Sequence, residues 1–280
     1  MLLCLSWGFN QVAVKLALPD IPPLIQAAIR SVGAAILVAA WARLRGIALL
    51  QRDGTLLPGV AAGLLFGLEF ILIYRGLLYT TASRAVLFIY TAPFFVVLGA
   101  RWFLPGDRFN LAQWIGLALS FAGMVVAFGV PAPSAHPLEL LGDAMMVVAA
   151  AAWAGTTLII KASTLNHVSA EKTMLYQLVV SAPMLAACAV LFGERMSAMP
   201  SALPLAALAY QTIWVVSITF VIWFAMILRY SASRLSAFTF LTPLFGVAAG
   251  YVVLDEPITP AFAAAAVLVV AGLVLVNRPR

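Results

Sequence analysis

Charge is what this chain has least of. Asp, Glu, Lys and Arg make up 9% of its 280 residues and hydrophobic residues 64%, whereas a soluble domain carries roughly a quarter charged residues. There are too few polar side chains to cover the outside of a water-soluble protein of this size, so lipid is the expected solvent. Cysteine is nearly absent: Cys4 and Cys188 lie far apart within apolar runs, which indicates no disulfide framework or zinc spacing. They read as small core hydrophobes. His136 and His167 are the only histidines and both fall in loops, with no paired-His metal motif, G-x-S-x-G or P-loop. An enzyme reading therefore lacks its parts, and no metal or other cofactor is expected. The net charge is +6, but the basic residues are scattered singly without interleaved aromatics, which argues against nucleic acid as a partner. No small-residue cleavage pattern follows the first apolar stretch, so no signal peptide is expected. That stretch starts abruptly at Met1, which leaves room for a few preceding residues in the natural protein.

What is present is a series of apolar runs of about 20 residues, the length a membrane-crossing helix requires. Breaks at Pro, Gly and charged residues divide them into 1–18, 23–44, 56–78, 85–104, 111–129, 140–163, 174–192, 203–228, 235–254 and 261–277. This predicts an all-α membrane protein with about ten transmembrane helices. The connections are short and several carry breaker residues, as in "PDIPP", "LPGDRFN" and "DEPITP". The longest polar gap, "VPAPSAHP" at 130–137, divides a first unit, 1–130, from a second, 138–280. If the N-terminus is inside, most Lys and Arg fall in inner loops, and only Arg75, Arg84 and Arg195 fall in outer ones. Both termini are therefore expected to be cytoplasmic.

The chain also repeats itself. "ASRAVLFIYTAPFF" at 82–95 returns as "ASRLSAFTFLTPLF" at 232–245, Trp7 and Lys15 return as Trp153 and Lys161, and "AGMVVA" at 122–127 returns as "AGLVLV" at 271–276. An odd number of spans separates the copies, so the second half crosses the membrane in the opposite direction. Two inverted five-helix repeats can exchange shapes and open a central site to either side, the design of secondary transporters. With both halves in one chain, a monomer could suffice.

Polar and kinked positions mark where such a site would lie. Trp7, Asn10, Gln11 and Lys15 share one helical face, as do Trp153, Thr156, Thr157 and Lys161. Lipid would not solvate Asn10 or Gln11, so these stripes are expected to face the bundle interior or a wet cavity. The alternative is that they only bond neighbouring helices while the tryptophans anchor at the interface. Pro93 and Pro243 are expected to kink the fourth and ninth helices at matched positions, with Tyr90 and Phe240, one turn earlier, as aromatic walls. Arg84 and Arg234 are expected to snorkel to phosphates or cap carbonyls. Glu69 is the acid placed most clearly in mid-span, able to carry a proton or neutralise an ammonium group. A protonated, purely structural Glu69 is the alternative. Its repeat mate, Thr219, cannot ionise. Arg30 is either the partner of Glu69 or a structural cation.

"WGFNQVAVKLAL" followed by "DIPPLIQAAIR", the two "ASR" stretches leading into "TAPFF" and "LTPLF", and "LDEPITP" before the last span resemble the drug/metabolite transporter superfamily, as two tandem EamA-type domains covering nearly the whole chain. The resemblance implies ten helices in inverted halves and a central cavity lined mainly by spans 1, 3, 4, 6, 8 and 9. It also implies export of small metabolites. It places the kinked fourth helix of each half at Pro93 and Pro243 and an acidic turn at 255–257, where the first half has "PGDRF" instead. Among members, the YddG-like amino-acid exporters fit best, since a cavity with Trp7, Asn10, Gln11, Tyr90, Trp153, Thr157 and Phe240 suits apolar or aromatic side chains with a small zwitterionic head. The expected function is amino-acid export by alternating access in a bacterial cytoplasmic (inner) membrane, with a proton as candidate coupling ion through Glu69. The alternatives are lipophilic drug or cation efflux and a nucleotide-sugar-type carrier, which would want several converging Lys or Arg. From a different class, the alternative is a channel-like pore or structural membrane protein.

Overall fold

A computed structural model describes residues 1–130, 137–255 and 257–278. Of the expected boundary at 130–137, residues 131–136 lie outside them, and of the acidic turn at 255–257 only residue 256 does. Among the described residues the chain forms α1 (Leu2–Ala17), α2 (Pro23–Leu44), α3 (Leu56–Gly76), α4 (Ala82–Phe103), α5 (Leu111–Phe128), α6 (Pro137–Ala162), α7 (Ala170–Leu191), α8 (Ala202–Arg229), α9 (Ala232–Leu254) and α10 (Ala261–Asn277). Eight of these are long and apolar enough to cross a membrane, and α1 and α10 are shorter apolar helices. The protein is all-α, as its composition demands.

Helix starts differ from the sequence reading in a consistent way. Charged residues were expected to end the spans, yet α4, α7 and α9 begin before Arg84, Lys172 and Arg234 and include them. Each is started by a side-chain cap instead: Thr81, Ser169 and Ser231 accept the backbone N–H of Arg84, Lys172 and Arg234. A hydroxyl at this position satisfies an amide left free in the first turn, so the helix can start in front of a charge provided the charge finds a partner. Lys172 finds one in Asp53, at 2.7 Å. The Lys172 ammonium, helped by the Thr55 hydroxyl, holds the Asp53 carboxyl down at about 2. This pair ties the α2–α3 loop to α7.

Arg84 does not snorkel. It is buried beneath α6, where its Nε lies 3.1 Å from both carboxylate oxygens of Asp143 and its Nη2 also meets that carboxylate. The Thr80 hydroxyl also donates to Asp143, at 2.6 Å, and Glu139 stands 3.6 Å from the guanidinium. Asp143 stands near the start of the expected span 140–163, and α6 presents it opposite Arg84.

The packing carries the signature of two inverted halves. α3 and α4 pack on α6, just as α8 and α9 pack on α1. α3 also packs on α7, as α8 does on α2, while the pairs α2 with α7 and α5 with α10 map onto themselves under exchange of the halves. α5 and α10 approach until backbones touch. A Cβ built on Gly272 would fall 2.3 Å from Ser120 Oγ and 2.4 Å from the Gly116 carbonyl oxygen. Small residues at such crossings let helices associate in lipid, where no hydrophobic effect drives them together.

Candidate functional site

The fourth and ninth helices break where proline leaves a carbonyl without its donor. α4 runs as regular helix from Ala82 to Ile89, turns at Tyr90 and Thr91, and resumes at Ala92–Phe103 with Pro93 near the start of the new segment. Pro93 has no N–H for the carbonyl four residues earlier. The Thr91 hydroxyl donates to the neighbouring carbonyl, that of Phe88, at 2.6 Å. In α9, a tight 3-10 turn at Phe238–Phe240 precedes the segment containing Pro243. The discontinuities thus lie just before the prolines. In α4 the break leaves Tyr90 beside Trp153, with ring centroids 6.0 Å apart and planes nearly perpendicular.

These elements surround a cavity of about 410 Å³. α1 contributes Trp7, Asn10, Gln11 and Lys15, α3 contributes Phe66, Glu69 and Phe70, α4 contributes Tyr90, α6 contributes Trp153 and Thr157, and α8 contributes Phe220 and Trp223. Thr242 of α9, Arg30 of α2 and Gln177 of α7 complete the wall. The rim, at Leu18, Leu77 and Ala82, is exposed, whereas Phe66, Trp223 and Phe224 at the other end are buried. The cavity therefore opens at the end holding the α1–α2 and α3–α4 connections and closes at the opposite end.

Aromatic packing makes the floor. Trp7 meets Phe220 and Trp223 edge-on, with centroids 5.7 and 5.1 Å away, and its indole N–H donates to Thr219 Oγ1 at 2.9 Å. Thr219 ends a π-helical stretch of α8, Tyr210–Thr219. Such widened turns are rare and tend to occur at functional sites. On the opposite wall the Thr156 and Thr157 hydroxyls donate back to the Ala152 and Trp153 carbonyls, leaving oxygen lone pairs for the cavity.

The structure brings Trp7, Asn10, Gln11, Glu69, Tyr90, Trp153 and Thr157 together in this one wall. Phe240 does not join them. It is 0% exposed in the core beneath the cavity, edge-on to Phe121 at 6.3 Å. Tyr90 and Phe240 occupy matched sequence positions just before the breaks in α4 and α9, but Tyr90 reaches the cavity wall and Phe240 packs into the core. Arg30 and Glu69 both line the cavity, and no ion pair within 4.0 Å joins them.

Sequence reasoning passed over Phe66, Phe70, Phe220, Trp223, Gln177 and Thr242. The aromatics carry no signal that separates a cavity wall from a lipid-facing surface. Gln177 and Thr242 could have been found by the argument applied to Asn10, as polar side chains within apolar spans.

The sequence pattern of the EamA-like transporter family matches residues 1–129 and 140–278. The uncharacterized transporter YoaV of Bacillus subtilis (strain 168) is 26% identical over 279 residues, spanning 96% of this chain and 92% of its own. A probable amino-acid metabolite efflux pump of Salmonella typhimurium (strain LT2) is 25% identical over 282 residues, spanning 98% of this chain and 91% of its own. One solved crystal structure superposes with a TM-score of 0.85 over 98% of this chain and 93% of that one, at 23% identity, a likeness of fold. Ten apolar helices in two related halves, a central one-ended cavity and a family pattern that spans both halves lead to one conclusion: this integral membrane protein belongs to the EamA-like transporter family.

Proposed function

We propose that the protein exports amino acids, apolar and aromatic ones favoured, by alternating access between its halves, 1–130 and 138–280. The observation that carries this reading is a difference between repeat-related pairs. Trp7 is bonded to Thr219 and closes the floor. Their repeat mates, Trp153 and Glu69, both line the open part of the cavity and share no hydrogen bond. Exchanging the two arrangements brings Trp153 onto Glu69, closes the present opening and releases the Trp7 end, which is how inverted repeats alternate access. A through-pore accounts less well for a cavity closed at one end by packed aromatics.

The substrate follows from the wall chemistry and from what the efflux-pump relative is named for. Aromatic faces suit an apolar side chain, while Asn10, Gln177 and the charged groups suit a polar head. Glu69 is the candidate coupling residue, because the exchange alters its partners. Facing it are Arg30 from α2, Lys15 from α1 and Tyr90 from α4. The membrane is the bacterial cytoplasmic one, with both termini inside and the cavity open outward.

The test is counterflow in proteoliposomes with a panel of labelled amino acids. A carrier gives saturable uptake accelerated by unlabelled substrate inside, and absence of counterflow for every amino acid sinks the substrate assignment. Glu69→Gln is expected to flatten the dependence on an imposed pH gradient; unchanged pH dependence makes the residue structural. Orientation has a separate check. Single cysteines at Asp255 and Asn277, in a Cys-free background, are expected to label from opposite sides, Asn277 from the cytoplasmic one.

A further inference from the structure

Three basic side chains among the described residues are buried: Arg30, Arg84 and Lys172. Two of them have carboxylates, Arg84 in Asp143 and Lys172 in Asp53. Arg30 has none. It is 3% exposed, two turns into α2, and its guanidinium lies over the Phe70 ring at 4.4 Å. That contact covers one face of the plane. Its N–H edges find no acceptor and no carboxylate within 4.0 Å among the described residues, although the side chain forms part of the cavity wall. An unpaired buried cation is costly, and the cost is relieved when an anion with hydrogen-bond acceptors reaches it.

We infer that Arg30 is the carboxylate receptor of the cavity and makes the transporter selective for solutes that carry a carboxylate. A planar guanidinium with its edges free matches a carboxylate through paired hydrogen bonds. Two further orphans in the same wall define the other end of the solute. Gln177 is 0% exposed and its Oε1 has no hydrogen-bond donor, and Asn10 Oδ1 is likewise buried without one. Both are acceptors only, so they call for N–H donors, which an ammonium supplies. The aromatic floor of Trp7, Phe220 and Trp223 takes the apolar remainder. Arg30 and Lys15 are the basic groups of the wall, fewer than the several converging cations a phosphate calls for. The inference rests on the reading of the cavity as a transport site, and adds to it the residue that separates an amino acid from the corresponding amine.

The probes are L-phenylalanine, L-phenylalaninamide, which keeps the ammonium and ring but not the carboxylate, and 3-phenylpropionate, which keeps the carboxylate and ring. In proteoliposomes of the wild-type protein, internal L-phenylalanine is expected to drive counterflow of the labelled amino acid at least tenfold better than the amide. Arg30→Gln is expected to lose at least tenfold in that exchange and to stop discriminating between the two, with Arg30→Lys recovering part of both. Equal exchange of acid and amide by the wild type, or undiminished discrimination by Arg30→Gln, overturns the inference. The wild-type comparison stands if Arg30→Gln fails to fold. A binding measurement separates this inference from the transport reading. In detergent, 3-phenylpropionate is expected to raise the melting temperature of the wild type but not of Arg30→Lys to the same extent. That shift without amino-acid counterflow ends the amino-acid reading and keeps the carboxylate receptor. Counterflow without acid-over-amide preference, or no shift in the wild type, ends the receptor.

Discussion

Asp143→Ala is expected to destabilise the folded protein by about 3–5 kcal/mol, the cost of leaving one member of a buried ion pair without its partner. The value follows from what Asp143 holds. It accepts from the Arg84 guanidinium and from the Thr80 hydroxyl, and both charged side chains are buried where α3, α4 and α6 meet. Removing the carboxylate takes from the Arg84 guanidinium the counter-ion that its Nε meets on both oxygens. Glu139, 3.6 Å from Arg84 and partly exposed, can take over part of the role. The lower end of the range is therefore expected. Replacing both partners, as in Arg84→Met with Asp143→Leu, is expected to recover most of the loss, because the desolvated charge leaves together with its counter-ion. Unfolding in detergent micelles followed by tryptophan fluorescence reads this. A loss of less than 1 kcal/mol for Asp143→Ala would mean that water or lipid headgroups already solvate Arg84.

Gly272→Leu is expected to prevent α10 from docking on α5, with a loss of about 3 kcal/mol or more and a fall in yield of monodisperse protein. The clash is with groups that have nowhere to go. The atoms within 2.4 Å of the added Cβ are Ser120 Oγ and the Gly116 carbonyl oxygen, and a Cβ on Gly116 would lie 2.6 Å from the Gly272 carbonyl oxygen in return. Backbone cannot rotate aside as a side chain does, so the helices must separate along their contact. Size-exclusion chromatography and thermal unfolding of the purified variant measure the effect. Val274→Leu, two residues on and exposed to lipid at 56%, is the control, expected to stay within about 0.5 kcal/mol of the parent. A Gly272→Leu protein as stable as that control would show that the crossing is looser than its geometry.

Much of this was legible beforehand, for identifiable reasons. Trp7, Asn10 and Gln11 were placed in the wall because polar and aromatic groups spaced along an apolar helix have no solvent unless they face inward. Tyr90 was placed there because a proline break exposes the turn before it. The same argument applied to Phe240 failed, since matched sequence positions in two repeats have matched environments only if both halves adopt one conformation. Here they do not, and the half that closes the floor buries what the other half displays. The fate of the arginines was also hidden. Arg84 and Arg30 both stand in apolar sequence, yet one is neutralised by Asp143 and the other faces the cavity unpaired.

By itself, the sequence determined the solvent, the helices and the doubling. Scarce charge and long apolar runs leave the backbone no place but a bilayer, where each segment must satisfy its own hydrogen bonds as a helix. The repeated phrase, separated by an odd number of spans, dictates inversion. Those are local or additive properties, readable residue by residue. Tertiary structure alone decided which end of the cavity is open, which of two equivalent aromatics reaches it, and which buried cation has no carboxylate within 4.0 Å among the described residues. Each of these depends on Coulomb and packing contacts between residues far apart in the chain, whose distances no spacing along the sequence contains.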